Sequence, residues 1–146
     1  MTDEPMRDPS REAPYHPVPV IDAVAFDCAD PVRLGQFWQS LLGGELRRDQ
    51  YGVTELHGGR VRLDFARVPD EKQVKNRLHL DLHVPPDAKD QAIANALRLG
   101  ASRADDIYAG DRWQVMRDPE GNEFCFVWGA GASPTEDLNL QNAADG

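Results

Sequence analysis

The run Lys75-Asn76-Arg77-Leu78-His79-Leu80-Asp81-Leu82-His83-Val84 carries reactive groups at the spacing of a strand. A period of two puts Leu78, Leu80, Leu82 and Val84 on one face and His79, Asp81 and His83 on the other. The leucine face suits burial under a helix, and the polar face suits a cavity. The His79 imidazole can ligate a metal or move a proton near neutral pH; it can equally serve as a structural hydrogen-bonding group inside the sheet. Asp27, Asp64 and Glu123 are oxygen ligands or bases if they share its face, with Glu123 and Asp27 the candidates for proton transfer. Asp81 and His83 continue the His79 face beyond the expected cavity floor. Cys125 offers a soft sulfur ligand or a small thiol wall. Arg62, Arg77 and Arg112 offer forked donors to an anionic group. Trp113, beginning a strand beside a turn, is placed to line a cavity mouth, whereas Trp38 and Trp128 fall on faces assigned to the core.

These residues need elements to hold them. Residues 1–19 contain Pro5, Pro9, Pro14, Pro17 and Pro19, a spacing that predicts an extended or disordered leader. A strand follows over 20–29. Its second face, Ile21, Ala23, Ala25, Asp27 and Ala29, is mostly small, as a cavity wall would be. Asp30-Pro31 opens a helix, because Asp30 can cap free amides and Pro31 fits a first turn. Leu34, Phe37, Trp38, Leu41 and Leu42 recur at helical spacing, and Gly43-Gly44 stops the run. Strands are expected over 45–48, 51–56 and 60–67. A polar loop over 69–76 leads to the central strand over 78–84. A second helix over 88–99 turns Ile93, Ala96 and Leu97 inward and stops at Gly100. A brief pairing over 102–106, a turn at 109–111 and a strand over 112–116 come next. Asp118-Pro119-Glu120-Gly121-Asn122 is a tight turn before the closing strand over 123–128. Residues 130–146 read as a flexible acidic tail.

The chain has 146 residues and 40% hydrophobic content, which suits one domain with a real core, placed over 20–129. A formal net charge of -9 argues against nucleic acid or an anionic membrane as partner. No apolar run approaches the roughly 20 residues that span a bilayer. Residues 1–15 have no apolar stretch of the kind a signal peptide needs. The two cysteines, Cys28 and Cys125, both sit in apolar runs and read as buried free thiols, which places the protein in the cytoplasm.

The order strand, helix, strand, strand, strand occurs twice, over 20–68 and 76–129. Each half would hold too little core alone, so pairing is physically sensible. The segments Asp27-Cys28-Ala29-Asp30-Pro31, Phe37-Trp38, Leu42-Gly43-Gly44, the run from Lys75 to Leu82, Leu99-Gly100-Ala101 and the run from Asp118 to Cys125 resemble the vicinal oxygen chelate superfamily, in its glyoxalase-like, bleomycin-resistance-protein-like branch. That resemblance implies an α+β fold: two paired βαβββ modules forming a curved, cup-shaped mixed sheet, with helices on the outer face. It implies a small-molecule ligand in the cup and a homodimer. The family's four ligand positions fall near Ala23, at Asp64, at His79 and at Cys125, with Glu123 just before the last. A metal shell would therefore draw on His79, Asp64 and Glu123 and hold one divalent ion: zinc, nickel, manganese or iron. Ligand contacts would come from His79, Asp27, Trp113, Arg62 and Cys125. Two functions stay open. One is a small-molecule-binding protein. The other is a divalent-metal-dependent lyase, isomerase or dioxygenase acting on a small oxygen-bearing substrate.

Overall fold

The computed structural model describes residues 18–107 and 110–129. Most of the expected leader, the tail from residue 130 and part of the turn at 109 lie outside the described residues. Module one runs β1 (Ala23–Cys28), α1 (Pro31–Leu42), β2 (Glu45–Arg48), β3 (Thr54–His57) and β4 (Arg62–Arg67). Module two runs β5 (Leu80–His83), a 3-10 turn (Pro86–Ala88), α2 (Lys89–Arg98), β6 (Ser102–Arg103), β7 (Trp113–Arg117) and β8 (Glu123–Val127). Each module builds a four-stranded mixed sheet, ordered β1-β4-β3-β2 and β5-β8-β7-β6. In each, the first strand is parallel to the last and the remaining pairs are antiparallel. This is the α+β architecture of paired βαβββ modules that the sequence pattern predicts.

Local chemistry explains the helices. The Asp30 carboxylate accepts from the Arg33 amide at 3.1 Å, and Pro31 occupies a first-turn position where a missing N–H costs nothing. Gly43, at φ 77°, ends α1 with its amide on the Gln39 carbonyl. Gly44 then passes so close to the His57 carbonyl that any Cβ there would collide with backbone. Leu34, Phe37 and Trp38 are buried and pack α1 onto its sheet. Each such buried side chain contributes roughly 1.5–3 kcal/mol.

One core joins the modules. Trp38 has no exposed surface, and its ring lies 5.6 Å from Phe26, 5.4 Å from Phe37 and 5.0 Å from Phe124 of module two. Its indole N–H donates to the Asp118 carboxylate at 3.1 Å. The Glu120 carboxylate accepts from the amides of Ala29 and Asp30 at 2.6 and 2.9 Å. The Asp118–Asn122 turn is therefore more than a hairpin: it ties module two to the start of α1.

Three expectations need correction. The first strand begins at Ala23, and Val20 and Ile21 are exposed, because β4 supplies a partner only from Arg62 onward. Leu78 is 89% exposed and lies before β5, since pairing with β8 begins only at Leu80 opposite Phe124. Leu42 and Leu97 also face solvent, at helix positions that lean away from the sheets. Leu80, Leu82 and Val84 do pack against the core.

Candidate functional site

β1 and β5 are edge strands of their sheets, and a cavity of about 560 Å³ opens between them. Its apolar wall comes from Val24 and Phe26 of β1, Trp38 of α1, and Leu78, Leu80 and Phe124 of module two. The segment linking the modules crosses its rim with Asp70, Glu71, Lys72 and Asn76. The volume lies in the range that takes a small organic ligand. The small side chain of Ala25 leaves the opening clear, as the alanines of β1 predict.

The polar groups on this wall are unevenly committed. Glu123 is buried, yet its carboxylate accepts from the Lys72 ammonium at 2.9 Å and the Asn76 amide at 3.3 Å. Burial works to raise this carboxyl; the hydrogen bonds from Lys72 and the Asn76 amide outweigh it and hold the group below its ordinary value. Asn76 also donates to the Asn122 side chain at 3.2 Å. Asp118, beneath, is pushed up by burial despite the hydrogen bonds it accepts from Asn122 and Trp38. Asp27, by contrast, makes no hydrogen bond or ion pair among the described residues and is exposed on the cavity wall. A carboxylate in that position can accept a proton or a donor from a ligand; Glu123 is already engaged by Lys72.

Beside the cavity, His79 Nδ1 lies 2.9 Å from the Asp81 carboxylate. Asp81 pairs across the sheet with Cys125, which brings the thiol beside its carboxylate. One ligand atom from each of His79, Asp81 and Cys125 lies within 4.8 Å of the others, the one such trio among the described residues. Burial, and then the Asp81 charge, pushes the Cys125 thiol up to about 11. Burial likewise takes Cys28 to about 12, and both cysteines are free. A nitrogen, an oxygen and a sulfur donor together suit a borderline metal such as zinc or iron.

The other sequence candidates are placed as follows. His79, Asp27 and Glu123 meet on the cavity wall. Asp64 stands on the module-one sheet, held by the Arg62 guanidinium at 2.7 and 3.0 Å, and does not join His79. Arg62 also reaches Asp22 at 3.1 Å, so its fork is occupied. Trp113 packs with Ala104, Val115, Cys125 and Val127 on the sheet of module two, away from the cavity wall. The sequence pattern places Asp81 beyond the expected cavity floor and assigns no site role to Lys72 or Asn76. The i, i+2 spacing of His79 and Asp81 was a visible signal for the first. Nothing local signalled the other two, which reach Glu123 from about 50 residues away.

The glyoxalase-like domain family model matches residues 23–127, which is most of the chain. The chain therefore belongs to the glyoxalase-like domain family. Solved structures share its fold. A glyoxalase/bleomycin resistance protein/dioxygenase family enzyme from Burkholderia phytofirmans PsJN is 20% identical, with TM-score 0.61, covering 74% of this chain and 97% of that one. A glyoxalase/bleomycin resistance protein/dioxygenase from Nocardioides is 16% identical, with TM-score 0.61, covering 84% and 91%. A variant of the fosfomycin resistance protein FosX from Listeria monocytogenes, crystallised with Mn(II) and 1S,2S-dihydroxypropylphosphonic acid, is 12% identical, with TM-score 0.64, covering 78% and 93%. No curated protein matches the chain in sequence. No helix among the described residues is long and apolar enough to cross a membrane.

Proposed function

We propose that this chain binds a small organic molecule in the cavity between its modules, with residues 20–129 as the single domain that holds it. The carrying observation is the wall itself: about 560 Å³ lined by β1, β5, β8 and the linking segment with both apolar and charged side chains. A ligand seated there touches both modules and so stabilises the pair against unfolding. A compound library screened by thermal shift tests this. A true ligand at about 100 times its Kd adds ~2.7 kcal/mol of stability. Ala25→Trp, which fills the opening, should abolish that gain while leaving the unliganded melting temperature nearly unchanged. A gain that persists in Ala25→Trp would place the ligand elsewhere.

Two features accompany this reading. A homodimer is supported by the exposed Val18, Val20 and Ile21 beside the edge strand β1, and light scattering at about 10 micromolar, well above common dimer constants, tests it. A cytoplasmic location is supported by the two free, buried thiols.

A second reading, a divalent-metal-dependent lyase, isomerase or dioxygenase acting on a small oxygen-bearing substrate, is favoured by the trio of donor atoms within 4.8 Å of one another. The donor set fits a divalent ion, which His79, Asp81 and Cys125 would hold. A metal there would supply Lewis acidity toward a substrate oxygen. Asp27, unpaired among the described residues on the adjoining wall, is the base this chain itself provides. The FosX variant bound to Mn(II) gives the reading a precedent in the fold. Cobalt titration tests it: the sulfur-to-cobalt absorption should appear in the parent, vanish in Cys125→Ser and persist in Asp64→Asn. Absence of that band in the parent would end the reading.

A further inference from the structure

Resting on the cavity reading above, we infer that the occupant is an organic cation: an amine or amidine carried on an apolar body. The cavity wall holds four carboxylates, Asp27, Asp70, Glu71 and Glu123, against one lysine, Lys72. That lysine is already spent on Glu123, at 2.9 Å. Asp27, Asp70 and Glu71 make no hydrogen bond or ion pair among the described residues. They share the wall with Val24, Phe26, Leu80 and Phe124 and with the exposed Leu78. A ligand must therefore present hydrocarbon at one end and donors with positive charge at the other. Among the described residues an anionic ligand would meet three uncompensated like charges on the wall, where the one lysine or arginine side chain, Lys72, is engaged by Glu123. Uncharged ligands would gain the apolar contact alone. All three free carboxylates are exposed, so salt screens their pull, and selectivity should be steep at low ionic strength and shallow at high. A cavity of this charge contrasts with the site of the FosX variant, crystallised with a phosphonic acid.

Three probes of one shape separate the terms: naphthylmethylammonium, naphthylmethanol and naphthoate, titrated into the full chain by calorimetry. The cation should bind about tenfold more tightly than the alcohol at low salt, and naphthoate should bind weakest. Asp27→Asn combined with Glu71→Gln, both at exposed positions, should bring cation and alcohol together. Ala25→Trp should abolish binding of all probes. Equal binding of cation and alcohol, lost in Ala25→Trp, would overturn the charge inference and leave the cavity reading standing. The charge inference also falls if naphthoate binds best, or if the cation's preference survives the double variant. Absence of binding by every probe, or binding unchanged in Ala25→Trp, would overturn both.

Discussion

The two modules share strand order and pairing but differ on the sheet face turned away from the helices. In module one that face is closed on itself. Arg62 forks onto Asp64, His57 meets Glu55 at 2.7 Å, and Arg47 meets Glu45 at 3.3 Å. Each of these charges has a neighbour of opposite sign along its own strand, and Asp27 of β1 stands apart from them without a partner among the described residues. In module two the same face carries a thiol. Cys125 sits among Ala104, Val115, Trp113 and Val127, with His79 and Asp81 at its border. Cys125 is buried in that trio, while His79 and Asp81 are exposed to solvent. One topology thus carries two chemistries. Pairing dictates which positions are neighbours, and side chains alone decide whether those neighbours neutralise each other or converge on a third atom.

The helices differ in a parallel way. α1 is capped by Asp30 and buries Leu34, Phe37 and Trp38. α2 enters through a 3-10 turn with no side-chain cap and buries only Ile93 and Ala96. Module one is the anchor of the common core and brings Asp27, and module two brings the donor trio.

Trp38→Ala puts the largest strain on that asymmetry. It opens a cavity at the junction and strips Asp118 of a donor, so equilibrium urea unfolding should show a loss of about 3–5 kcal/mol. Ile93→Ala, the matching test on α2, should cost less, about 2–3 kcal/mol. Equal costs would break the idea that module one anchors the core. Next comes Glu123→Gln, which replaces the buried charge by a neutral amide and should cost about 1–2 kcal/mol at neutral pH. Its pH dependence sharpens the point. The Glu123 carboxyl titrates lower in the fold than in the unfolded chain, so the unfolded chain takes up the proton first. Its contribution is full above the ordinary value of 4.5 and is lost as pH falls through the folded value. Parent and Glu123→Gln stabilities should therefore converge on acidification; a constant gap would show that packing, not charge, sets the difference. Asp118 runs the other way, since its folded value is raised and its contribution fades as pH rises through that value.

Smaller again is Asp30→Ala, which removes the α1 cap and should cost about 1 kcal/mol by the same unfolding measurement. Asp87→Ala, beside the uncapped start of α2, should cost less. The smallest effect belongs to Arg62→Ala. Its ion pairs are partly solvated, and the loss should stay below about 1 kcal/mol. A larger loss would mean that the charged face of module one does more than satisfy itself.

Much of the architecture was written in local pattern. Asp30-Pro31 and Gly43-Gly44 bracket α1 because capping and positive φ are properties of single residues. The alternation from His79 to Val84 told strand from helix and polar face from apolar, and Phe124 and Phe126 went to the core as their period required. Strand ends were less legible. Val20, Ile21 and Leu78 have strand-forming side chains but no partner strand beside them, and partnership is not a local property.

The candidate site divides along the same line. By itself the sequence determined that His79 and Asp81 share a face, that Cys28 and Cys125 lie in apolar runs, and that β1 presents small residues and Asp27 to one side. Each follows from periodicity or composition within a few residues. Only the tertiary structure decided that Cys125 completes a trio with His79 and Asp81 while Asp64 is claimed by Arg62. It alone decided that Lys72 occupies Glu123 and that Asp27 has no partner among the described residues. The physical reason is that a charged group pairs with whatever stands within about 4 Å. Strand register and the path of a linking loop set those distances, and neither is encoded in the residues that end up paired.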